Sequence, residues 1–187
     1  MSDLTITSAG VSVAANSAGS SISTGRCKIV RVTPVISATA YNAGDVLFAA
    51  TEMPNAVKED GGCSKLIGIS MLSLHDAAVE DVGLVFMENS TNLGTINAAT
   101  SLADNDALAA NIISGCILNG SDNTQDLGAC GLYSTIAYTG NSAVSTFSPM
   151  LLQAAQGSTS VYVAGIASDA QDYVGTSDIV LMFHIEY

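Results

Sequence analysis

"STSVYVAGI", residues 158–166, alternates with period two. Val161, Val163 and Gly165 fall on one face of an extended chain, and Tyr162, Ala164 and Ile166 on the other. Both faces are apolar, which predicts either a central strand or one covered by a neighbouring subunit. Outward from this segment, β-rich runs of the same texture recur at 26–37, 45–50, 65–73, 82–88, 112–118, 129–138, 147–154, 159–167 and 178–186. Turn-forming clusters separate them: "NAGD" at 42–45, "EDGG" at 59–62, "NGSDN" at 119–123, "TGNS" at 139–142 and "QGS" at 156–158. Short strands at this spacing predict an all-β fold, a β-sandwich or jelly roll.

One stretch has helical character, "SLADNDALAANIISG" at 101–115. Ser101 and Asp104 have the spacing of a capping box, Asp104 and Asp106 suit the positive end of the helix dipole, and Gly115 suits its close. Leu108 and Ile112 would then share a face at i, i+4. An extended loop is the rival reading, because Asn105 and Asn111 are poor helix formers.

Residues 1–25 are small and polar and lack the apolar density of a core. Alternation at Leu4 and Ile6, and again at Val11 and Val13, gives them strand character. We expect an extended N-terminal arm that orders against a partner, followed by a β-sandwich domain over 26–187. The segment "TGRCKIVRV" at 24–32 joins the two and holds Arg26, Lys28 and Arg31, three of the five cations in the chain. Arg26 and Lys28 point one way, and Val30, Arg31 and Val32 reverse that parity, so a bulge near residues 29–30 is expected. These cations would meet carboxylates of the body or of a second copy and fix orientation more than stability. Leu4, Ile6, Val11, Val13, Arg26, Lys28 and Arg31 are therefore the candidate interaction residues.

Charge narrows the partners. The 187-residue chain nets −12, with charged residues at only 12% against about 25% in ordinary domains. Phosphate contacts need clustered cations over a sizeable face, which argues against nucleic acid, and the same balance disfavours an anionic membrane. The N-terminus lacks the pattern of a secretory signal, and no apolar run reaches the length of a spanning helix, so synthesis in a cytoplasm is expected. A surface so poor in charge suits an assembly subunit, and a homo-oligomer follows as the expectation.

No catalytic pattern emerges. The chain has no GxSxG, SxxK, HExxH or Walker sequence. His75 stands near Asp76, Glu80 and Asp81 in what reads as a polar turn, and His184 alternates within the terminal strand as a surface or hydrogen-bonded residue. "EDGGCSK" lacks the strand–loop–helix setting of a phosphate loop. The chain is expected not to be an enzyme and to carry no cofactor. Asp122 and Asp126, and Asp104 with Asp106, are oxygen-rich enough for a weak calcium site, against a solvated-turn reading. Cys27, Cys63, Cys116 and Cys130 form no CxxC pair and have no histidine at zinc spacing; buried reduced thiols are expected, with one disulfide formed in an oxidising medium as the alternative. Saccharide binding is disfavoured by the absence of Trp and by only ten aromatics.

The stretch "ISATAYNAGDVLFAATEMPNAVKEDGGCSKLIGISML" and the later "VGLVFMENSTNLGTINAATSLADNDALAANIISGCIL" resemble a group of small virion proteins of tailed phages, of marine and cyanobacterial type. The cues are Y-x-x-G-D-V-L at 41–47, N-A-V before a glycine pair, L-G-T-x-N-A-A-x-S-L-A-D at 93–104, and the late "GSTSVYVAGIAS". The resemblance covers roughly 36–118 and that late piece. It implies a capsid decoration or cement protein on the phage head, partnered by the major capsid protein and by itself, with a trimer as one arrangement. A receptor- or glycan-binding module of a tail or head fibre is the alternative.

Overall fold

The computed structural model describes residues 4–8, 11–15, 27–75, 80–120, 124–135 and 148–187, the first two segments as backbone. It is an all-β fold of two packed antiparallel sheets with one short helix. The main strands are β3 (Cys27–Val32), β4 (Val46–Met53), β5 (Cys63–Ser73), β6 (Val82–Met87), β7 (Ile112–Leu118), β8 (Thr124–Asp126), β9 (Gly131–Ser134), β10 (Met150–Gln153), β11 (Val161–Ala167) and β12 (Ile179–Glu186). They follow a hairpin of β1 (Leu4–Ser8) and β2 (Val11–Ala15), and α1 (Asp104–Ala110) precedes β7.

The pairing is nested. The chain runs out through β3, β4, β5 and β6, reverses through residues 88–111, and returns antiparallel to itself. β7 pairs with β6, β9 and β10 with β5, β11 with β4, and β12 with β3. Successive pairs lie in alternate sheets, with β11 also bonded to β6 and β12 also bonded to β5. The strand orders are β4-β11-β6-β7 in the smaller sheet and β3-β12-β5-β9-β8 in the larger, with β10 also on β5. β9 and β10 lie end to end along β5, at Ser70–Ser73 and at Cys63–Leu66.

Alternation drives the two sheets together. In β12 the residues Ile179, Leu181, Phe183 and Ile185 are buried, and the even positions between them face outward. Phe183 meets Phe86 of β6 edge to face at 5.8 Å, joining the sheets at mid-core. Each such fully buried apolar side chain contributes on the order of 1.5–3 kcal/mol. Gly165, in the middle of β11, leaves room for the buried ring of Phe48.

Both faces of "VYVAGI" are covered, as its composition requires. Val161 and Val163 join the inter-sheet core, while Ala164 packs with Val46, Met87, Leu93 and Ala110, and Tyr162 and Ile166 flank them. The cover on that second side is the chain's own 88–110 segment.

Several boundaries differ from expectation for identifiable reasons. The strand expected over 26–37 ends at Val32, just before Thr33-Pro34, where proline has no N–H to give the ladder. β8 (Thr124–Asp126) follows directly on the turn sequence at 119–123, in a stretch where no strand is expected. The helix has Ala103, not Ser101, at its N-cap and so no side-chain cap, while Ser101 donates its backbone N–H to Leu93 O at 2.8 Å in a loop bridge. It ends at Asn111, in the left-handed region at φ 48°, and not at Gly115, which pairs with Val85 inside β7. The ladder to β6 claims Ile112 onward, so Leu108 has no Ile112 beside it and is exposed.

In the hairpin, Leu4 faces Ala15, Ile6 faces Val13, and Ser8 faces Val11. Directly opposed residues share a face. Leu4, Ile6, Val11 and Val13 are therefore on one side of the ribbon.

Candidate functional site

Built strand by strand, the outward face of the larger sheet forms registered rows. One row is Arg31, Met182, Ser70 and Ser134; the next is Ile29, His184 and Gly68. On one side of these lie Val180, Leu72, Leu132 and Gln125, and on the other Cys27, Glu186, Lys65 and Leu151. An open sheet face in water is normally polar. This one carries Ile29, Val180, Met182, Leu72, Leu132 and Leu151, of which Ile29 and Leu151 are exposed at 44% and 68% and the other four are half-buried.

A bulge shapes the face. His184 pairs with Gly68 while Ile185 pairs with Leu66, leaving Ile67 as the extra residue. That insertion keeps Leu66 in the core and turns Gly68, Ser70 and Leu72 outward. A shallow depression of about 350 Å³ lies on this part of the sheet, lined by Cys27, Lys28, Ile29, Ile67, His184 and Ile185. At the centre, Ser70 Oγ lies 3.3 Å from His184 Nε2 and 3.1 Å from Ser134 Oγ. Burial, and secondarily the charge of Arg31, holds the His184 imidazolium below its ordinary pKa. Its expected role as a hydrogen-bonded strand residue matches this placement.

The bulge expected in β3 is absent: Cys27 to Val32 pair with β12 without a shift. Lys28 lies on the inward side with Val30 and Val32, at the sheet's end, where its Nζ reaches Asn55 O at 3.4 Å. A long side chain at a sheet end can bury its stem and still present its charge to polar atoms, so no parity reversal is needed. Lys28 and Arg31 thus lie on opposite faces, and Lys28 meets a backbone carbonyl where a carboxylate was expected. Arg31 is exposed on the outward face. Lys65 Nζ is 3.6 Å from Glu186 Oε2, an exposed pair of small energetic weight. Arg26 lies outside the described residues. Of Leu4, Ile6, Val11 and Val13 the backbone register alone is described.

The ion candidates do not converge. Asp122 lies outside the described residues, and Asp126 Oδ1 accepts the Gly128 N–H at 2.6 Å, closing the turn before β9. Asp104 and Asp106 are exposed on the first turn of α1. Among the described residues no group of three or more His, Cys, Asp or Glu is placed to hold a metal. His75 is exposed in a turn with its ring 6.5 Å from that of Tyr173; Asp76 is outside the described residues. All four cysteines are free thiols. Cys27 and Cys63 are exposed, against expectation, because each is the first residue of its strand, β3 and β5, and falls on the outward parity. Cys116 is the buried-type thiol anticipated, its pKa pushed up to about 12 by burial.

The apolar outward face of the larger sheet is not among the features that the sequence singled out. The signal for it was present in "IVLMFHIE", where Val180 and Met182 alternate with the core residues. Among the described aromatics none is fully exposed: Tyr41, Tyr133, Tyr173, Phe48, Phe86 and Phe183 are buried, Tyr162 and Tyr187 half-buried. No described helix is long and apolar enough to cross a membrane. No family model matches the chain, and no curated protein matches it in sequence.

Proposed function

We propose that the chain is a structural protein of a phage particle, a decoration or cement protein that binds the major capsid protein and its own copies on the head surface. The observation that carries this reading is the apolar outward face of the larger sheet in a chain with only 12% charged residues. Exposed Val35, Leu108, Ile117 and Val174 extend the apolar character to other surfaces. A particle component presents several such surfaces to neighbours, and modest contacts repeated over a lattice add up to firm attachment. The nested antiparallel pairing of the two sheets supports reading the fold as a jelly-roll wrap, an architecture used in viral capsids and also in lectins. Fold alone hosts many functions, so the apolar surface carries the weight, and the phage assignment is the part that rests on the motif reading of 41–47 and 93–104.

Glycan or receptor binding on a fibre is the weaker reading, since stacking platforms need exposed aromatic rings. Co-sedimentation of the purified protein with capsids lacking it tests the proposal. Saturable binding to capsids with no adsorption to host cells is expected; adsorption to cells or to glycans without capsid binding would overturn it.

A further inference from the structure

We infer that the outward face of the larger sheet is the seat of the β1–β2 hairpin of a second copy of this chain. The inference rests on the assembly reading above and names the contact through which copies would join.

Two apolar faces of this chain ask for cover. An isolated two-stranded hairpin is marginal in water and needs a further apolar surface to stand. The register puts Leu4, Ile6, Val11 and Val13 on one side of the ribbon, which pairs with no other strand among the described residues. The larger sheet offers the matching surface: Ile29 lines the depression, and Met182 and Val180 continue the apolar face in the rows beyond it.

Charge favours the hairpin over the other surfaces of a second copy. Residues 4–15 contain no charged side chain, so seating them strips no ion of its water. The receiving rows hold Arg31 and Lys65 against Glu186 alone, a local positive balance in a chain netting −12. Two such faces meeting each other would oppose Arg31 and Lys65 to their equals. Ile29 and Leu151 stay exposed within the single chain, and reach allows another copy to cover them: β3 is the outermost strand of its sheet, so the connection to the hairpin starts at the molecular rim. Residues 16–26 span up to about 36 Å when extended, whereas the five-strand path β3-β12-β5-β9-β8 is roughly 19 Å wide. The hairpin can therefore clear its own sheet and lie on the next.

Light-scattering mass measurement on the purified full chain tests this without capsids. The wild type is expected above the single-chain mass of 18.9 kDa at micromolar concentration. Ile6→Asp/Val13→Asp spoils the hairpin, and Ile29→Asp/Met182→Asp spoils the seat; each should run as a single chain. Their equimolar mixture should recover a two-chain species, because one intact hairpin then meets one intact seat. If the seat variant does not fold by circular dichroism, Ile29→Ser/Leu151→Ser replaces it. A monomeric wild type, variants that remain oligomeric, or a mixture that stays monomeric would each overturn the inference. A monomeric chain that still co-sediments with capsids sinks this contact and leaves the virion reading standing; a hairpin-dependent oligomer that ignores capsids does the reverse.

Discussion

Gly165 and Phe48 share one space: a Cβ built on Gly165 would overlap the Phe48 ring, which is fully buried between the sheets. The two face each other across β11 and β4, at a point where the ladder register shifts. Gly165→Ala should destabilise by about 1–3 kcal/mol, the usual cost of overpacking, and Gly165→Val by more. Urea unfolding checks this, with the midpoint falling and the slope unchanged.

The inter-sheet contact of Phe86 and Phe183 yields a second expectation. Phe183→Ala should cost about 3–5 kcal/mol, as large core truncations do, because the facing sheet cannot collapse into the gap. Phe183→Leu should cost markedly less. Equal losses in thermal or urea unfolding would mean the ring is not packed between the sheets.

His184 makes stability depend on pH. Its folded-state pKa lies below the unfolded value of about 6.5, so the unfolded chain takes up the proton first. Its contribution is therefore intact above about pH 6.5 and is lost as pH falls through that value toward the folded pKa. His184→Asn should flatten the part of the stability–pH curve just below pH 6.5; an unchanged difference between wild type and variant across that range would contradict it.

How far the residues alone lead is clearest in β11 and β12. Both alternate with apolar residues on both faces, yet the chain covers β11 with its own 88–110 segment and leaves β12 open. Nothing in the period-two pattern tells which face a distant loop will cover. Likewise "CSKLIGISMLS" reads as a strand in either parity, and the bulge at Ile67 becomes visible only through its pairing with β12. β8, three residues among turn formers, carries too few apolar positions to stand out. The strands β4, β5, β6, β7, β11 and β12 were legible to within a few residues because their apolar runs are bounded by turn formers, and in β12 because burial enforces the period of two. The candidate site was legible in part: Arg31 lies on the exposed face, but Lys28 is turned inward by its place at the sheet's end.

The cysteines separate by exposure. At pH 7–8 Cys27 and Cys63 should react with a thiol reagent within the native state, while Cys116, with its pKa pushed to about 12, should react only as the protein unfolds. Stopped reagent counting with and without denaturant gives the result, and prompt native reaction at Cys116 would show that β7 does not pack as described.

The central claim, that the larger sheet's outward face is buried in a phage particle, is tested most directly by a cryo-EM map of the particle that carries this protein. The account expects the sandwich at repeated positions on the head, with Ile29, Met182 and Val180 beneath density from a neighbouring copy. A map in which that face lies bare to solvent, or in which the protein is confined to the tip of a tail fibre, would contradict it.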